Sequence, residues 1–83
     1  MFEIGQKVKC IDDYFVNEST NPFRLSEVTL PENDNIYTIR EVVKTWYGTG
    51  VRLEEIKNPI FYFGNIRGFE EPIFGIYRFE FLD

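Results

Sequence analysis

The chain has 83 residues, 43% apolar and 18% aromatic, with a formal net charge of −5. That length predicts one domain around one core, and no apolar run approaches the ~20 residues of a membrane-spanning helix. The acidic balance opposes phosphate backbones and anionic membrane surfaces, and the lack of histidine excludes His-type metal clusters and Ser-His or Cys-His pairs.

A single cysteine, Cys10, cannot form an internal disulfide, and no apolar leader follows Met1. Both features suit a reducing cytoplasm, which is the expected location. Residues 6–11 predict a first strand, with Val8 and Cys10 on one face and Lys7 and Lys9 on the other. Cys10 therefore reads as a small buried thiol, because alternation keeps the lysines off its face.

Asp12 to Asn35 is a long connection rich in turn formers, including Ser19-Thr20-Asn21-Pro22 and Pro31-Glu32-Asn33-Asp34-Asn35. Pro22 and Pro31 bracket it, so nothing longer than one helical turn over Arg24–Val28 is expected. Phe23, Leu25, Val28 and Leu30 are spaced to anchor it to the core.

The centre of the chain is Asn35–Ile56. Two runs rich in β-branched residues, Ile36–Lys44 and Val51–Ile56, flank Tyr47-Gly48-Thr49-Gly50, whose glycines can supply the positive φ of a tight reversal. Alternation places Tyr37 and Ile39 on one face of the first run, and Val51 and Leu53 on one face of the second. The pattern breaks at Arg40-Glu41, ahead of Val42-Val43. A bulge there would restore the inward set and bend the strand.

Asn58-Pro59 then ends the run, and Ile60–Phe63 is densely apolar. Phe61 and Phe63 share one side while Tyr62 takes the other. As an edge strand this segment invites pairing with a second copy, so Phe61, Tyr62 and Phe63 are the candidates for weak homo-oligomerisation. Gly64–Gly68 reads as a turn. The last run reads in two ways: a strand with Tyr77, Phe79 and Phe81 on one face, or a 3₁₀ turn around Tyr77–Phe79 feeding a short final strand.

Ile4-Gly5, Val8–Asp13, Tyr37–Val42 (YTIREV), Leu53–Ile56 (LEEI), Glu71-Pro72 with Phe74, and Arg78-Phe79 together carry a resemblance. The pattern resembles small bacterial and phage-encoded proteins with an SH3-like barrel. The resemblance implies an all-β fold: a small, partly open SH3-like barrel of five to six strands, with a long first loop and a short 3₁₀ turn near the C-terminus. It also implies a phage or prophage origin. It carries over no catalytic or binding residue, since the group has no established activity.

Catalysis finds little support. Gly48-Thr49-Gly50 lacks the lysine and following helix of a phosphate loop. The pairs Asp12-Asp13, Glu54-Glu55 and Glu70-Glu71 point to opposite faces when extended, so they rarely converge; Asp12-Asp13 sits where carboxylates cap backbone amides. No enzyme activity and no cofactor are expected.

The aromatic residues point elsewhere. Val8, Tyr37, Ile39, Val42, Val51, Leu53, Ile56, Phe74 and Phe79 would fill a small barrel, which leaves a surplus of rings. Tyr14 and Phe15 on the first loop, Trp46 and Tyr47 at the hairpin, and Tyr77 near the 3₁₀ turn would approach one another and form a groove for a protein segment. The expected function is a non-catalytic protein-interaction module that binds a host or virion partner. The alternative is a nucleic-acid-associated barrel in which Arg40, Arg52, Arg67 and Arg78 cluster, or an acidic mimic of nucleic acid.

Overall fold

The computed structural model describes residues 2–19, 21–65 and 67–82. Thr20 and Ile66, which the sequence places in turns, lie outside the described residues. The chain is all-β, with seven strands and two 3₁₀ turns among the described residues. No described helix is long and apolar enough to cross a membrane.

The organising strand is β2, Ile36–Thr45. Its first half pairs antiparallel with β1, Lys7–Cys10, through Val8 opposite Tyr37. Its second half pairs with β3, Gly48–Leu53, and the register shifts between Ile39 and Glu41. The shift falls on the break in alternation at Arg40-Glu41. It lets Val42 sit opposite Val51 while Ile39 sits opposite Leu53, and it bends β2 so that one strand serves both halves of the sheet.

The reversal at the end of β2 corrects the sequence expectation. Thr45 pairs with Gly48, so Trp46 and Tyr47 are the two turn residues. Gly48 takes φ 145° just after the turn. Gly50 is needed for space instead: a Cβ there would overlap the Ile73 side chain.

Two short strands complete the sheet. β6, Phe74–Gly75, pairs with β3, and β7, Phe79–Phe81, pairs with β1, giving the order β6-β3-β2-β1-β7. The edges β6 and β7 share no ladder, so the sheet stays open. The 3₁₀ turn Ile76–Arg78 joins them. The one-face reading of Tyr77, Phe79 and Phe81 fails here: the 3₁₀ turn rotates Tyr77 outward, Phe79 is buried, and Phe81 stacks on Phe2 with ring centroids 4.0 Å apart.

The core comprises Val8, Cys10, Tyr37, Ile39, Val51, Leu53, Ile56, Phe74 and Phe79. Burying each such large apolar side chain contributes ~1.5–3 kcal/mol. Cys10 is buried as its face requires, whereas Val42, expected inside, is only half-buried and packs against the cluster. Within the long connection, a 3₁₀ turn spans Leu25–Glu27. Leu30 packs on the core, Pro31 is fully buried, and the Glu32 amide donates to the Tyr37 hydroxyl at 2.9 Å.

A second sheet has only two strands, β4 (Phe61–Tyr62) and β5 (Phe69–Glu70). Buried arginine attaches it to the large sheet. Arg52, 7% exposed, donates to the Glu71 carbonyl and to the carboxylates of Glu41 and Glu70. Phe23 packs against Phe61 and Phe63 with ring centroids 5.1 and 6.1 Å away.

Candidate functional site

A cleft of about 700 Å³ opens between the long connection, the β2–β3 tip, the turn of the small sheet and the second 3₁₀ turn. Each wall has an identifiable cause in the sequence. The first begins where β1 ends: the Asp12 carboxylate accepts from the Tyr14 amide at 3.0 Å, and the Asp13 carboxylate accepts from the Asn33 amide at 3.2 Å. These bonds turn the chain back on itself. Phe15 then meets the buried Phe74 ring edge-on, with centroids 6.1 Å apart.

The opposite wall is the second 3₁₀ turn. The Tyr77 ring lies over Gly75, where a Cβ would overlap it. Between the two walls lies the Arg78 guanidinium, 3.8 Å from the centre of the Phe15 ring and 5.1 Å from that of Tyr77. Its Nη1 donates to the Asp12 carbonyl at 3.2 Å, the Asp12 carboxylate at 3.3 Å and the Tyr14 carbonyl at 2.8 Å. One side chain thus joins strand exit, loop and 3₁₀ turn.

The third wall comes from the hairpin tip and the small sheet. Arg67 stacks over Phe63 at 4.4 Å, donates to Glu70 at 2.7 Å and reaches the Tyr47 hydroxyl at 3.4 Å. Ile73 and Phe74 line the floor.

The structure therefore brings Tyr14, Phe15, Tyr47 and Tyr77 to a single cleft. Trp46 does not line it. Its ring stands edge-on to Tyr47, centroids 5.1 Å apart, and the residue is 94% exposed. Of the self-association candidates, Phe61 and Phe63 are half-buried against Phe23, whereas Tyr62 is exposed beside Phe69 and donates its hydroxyl to Asn65 at 2.7 Å. The split of this run between two sides is as alternation requires.

Phe63, Arg67 and Arg78 were not expected at the cleft. Arg78 alternates with Phe79 and so reads as an outward strand residue; only the 3₁₀ alternative turns it toward Asp12. The four arginines do not form a free basic face. Arg40 pairs with Glu71, Arg52 with Glu41 and Glu70, Arg67 with Glu70, and Arg78 with Asp12.

Cys10 has no part in the cleft. Burial pushes its thiol pKa above the ordinary 9.0, outweighing the opposing influence of the Asp12 backbone. A neutral, fully buried thiol is a packing group. Comparison with protein-family models, with curated proteins and with solved structures gives no match.

Proposed function

We propose that the chain is a non-catalytic protein-interaction module on an SH3-like scaffold, and that its cleft holds an extended segment of a partner protein. The fold part of this reading is supported by the meandering order β6-β3-β2-β1-β7 and by the 3₁₀ turn linking the last two strands. The phage or prophage origin rests on the sequence resemblance.

The observation that carries the binding part is the convergence of Tyr14, Phe15, Tyr47 and Tyr77 on one open cleft. Tyr14, Tyr47 and Tyr77 remain well exposed there although other rings are covered. Tyrosines of this kind offer large contact area and a hydroxyl at low entropic cost. An extended segment fits because the cleft is open to solvent and lined by rings from separate pieces of chain, the arrangement of grooves that grip peptides in extended form. The nucleic-acid alternative loses ground, since the arginines it requires are paired with carboxylates.

Selection from a random-peptide library on the immobilised protein tests the reading, followed by amide and aromatic NMR mapping of each selected peptide. Shifts concentrated at Tyr14, Phe15, Tyr47 and Tyr77 support it. A library that enriches nothing, or peptides that map to the outer face of β1 and β2, overturns it.

A further inference from the structure

We infer that the cleft takes a carboxylate, carried by the bound segment and held on the Nε–Nη2 edge of Arg78. This deepens the peptide-binding reading and rests on it.

The inference starts from how Arg78 spends its donors. A guanidinium carries five N–H groups in a rigid plane. Every hydrogen bond that Arg78 makes to the described residues runs through Nη1. The Nε–H and both Nη2–H groups have no acceptor among the described residues, although the side chain is only 13% exposed. The three bonds at Nη1 and the contacts with the Phe15 and Tyr77 rings hold the guanidinium in place. What remains is a prealigned pair of parallel donors on a residue that lines the cleft. That side-on edge matches the two oxygens of a carboxylate.

The cationic lining of the cleft points the same way. Arg67 is the other cation lining the cleft, and its Nη2 is buried with no acceptor among the described residues. That atom is buried, so Arg67 adds its charge to the wall and leaves the open donor edge to Arg78. The global charge of −5 opposes an anionic ligand, but over distances beyond about 8 Å that repulsion is screened at physiological ionic strength. At contact, a charge-assisted pair is about twice as strong as a neutral hydrogen bond, so the local donors win. Of the two carboxylates lining the cleft, Asp12 is already engaged by Arg78 and Glu18 accepts from the Asn21 side chain at 3.5 Å.

The test uses small probes that differ only in their polar group: phenylacetate, phenylacetamide and benzylamine, titrated into the intact protein by NMR. Phenylacetate should bind at least tenfold tighter than either of the others and move the Arg78 Nε–Hε signal, with ring shifts at Phe15 and Tyr77. Arg78→Lys keeps the charge but lacks the paired edge, and it should abolish the preference while the amide spectrum stays folded. Two capped dipeptides separate the possible sources: one with a glutamate side chain and an amidated end, the other with a free C-terminal carboxylate. Tighter binding of either supports the inference and names the source. Equal binding of phenylacetate and phenylacetamide, preference for benzylamine, or an unmoved Nε–Hε signal overturns it. If library peptides still map to the cleft in that case, the peptide reading survives without the carboxylate.

Discussion

Arg40 Nη2 lies 2.8 Å from Oε2 and 2.9 Å from Oε1 of Glu71, so the unpaired residue of the β2 bulge is tied to the segment that enters β6. The same guanidinium donates to the carbonyls of Leu53 and Ile56, and Glu71 also accepts from the Asn58 amide at 2.9 Å. The bulge therefore places a cation where the end of β3, the β3–β4 connection and the β5–β6 connection meet. Without it, the two-stranded sheet would be held chiefly by Arg52 and Phe23.

Glu71→Ala is expected to destabilise the fold by about 2 kcal/mol, because a half-buried guanidinium loses its carboxylate and a backbone amide loses its acceptor. Urea denaturation measures this. Glu54→Ala, at an exposed position, serves as the control and should stay within about 0.5 kcal/mol of the parent. Equal effects at the two positions would mean that the clamp contributes nothing.

Leu53→Ala tests the central register. Leu53 is fully buried opposite Ile39, and truncation should cost ~2–5 kcal/mol through lost transfer energy and a residual cavity. A cost below about 1 kcal/mol would contradict the pairing of β2 with β3.

Much of this framework is legible in the chain because it follows local periodicity. Alternation identifies Tyr37, Ile39, Val51 and Leu53 as inward, and its failure at Arg40-Glu41 marks the bulge, since a period of two is set by the pleat itself. The turn was misplaced because glycine serves two ends that look alike in sequence. At Gly48 it permits a positive φ, whereas at Gly50 it makes room for Ile73. The cleft was legible as a set of surplus rings, but its organising cation was not. Arg78 meets Asp12 and Phe15 across more than sixty positions of chain, and no local pattern encodes a contact so distant.

Stability should fall in acid, and Glu70 and Glu55 should carry part of the loss. Burial alone would raise the Glu70 pKa, but the bonds and charges of Arg67 and Arg52 hold it below the ordinary 4.5. At Glu55 burial is likewise outweighed, here by bonds from the Thr38 amide and hydroxyl, each 2.8 Å. A carboxyl depressed in the folded state stabilises the fold above its unfolded value, and that contribution disappears as pH falls through the folded value. Urea midpoints should therefore decline from about pH 4.5 downward, and Glu70→Gln should flatten the slope. An unchanged slope in the variant would show that Glu70 is not among the groups responsible.

Gly75→Ala separates the cleft from the fold. Gly75 has φ −59° and ψ 136°, which alanine adopts without strain, but the new methyl would overlap the Tyr77 ring. That ring is exposed and can swing into solvent. The unfolding midpoint should change little, since a gain of ~0.4–1 kcal/mol from reduced unfolded-state entropy offsets the lost contact. The aromatic resonances of Tyr77 should move toward random-coil values, and binding of the selected peptides should weaken. Unchanged Tyr77 resonances would show that the ring does not lie over the glycine.

Trp46 gives the sharpest division between binding and stability. At 94% exposed, with only the edge of Tyr47 against its ring, it has almost no packing to lose. Trp46→Ala should alter folding stability by no more than about 0.5 kcal/mol. It stands beside Tyr47, which lines the cleft, and a tryptophan at such a rim gains its burial only when a partner covers it. Binding of the selected peptides should then weaken by ~2 kcal/mol or more, the scale of an aromatic hot spot. Thermal melting and peptide titration of the same variant give both quantities. Undiminished binding would remove Trp46 from the partner surface and confine recognition to Tyr14, Phe15, Tyr47 and Tyr77. A large loss of stability would show instead that the ring covers part of the fold.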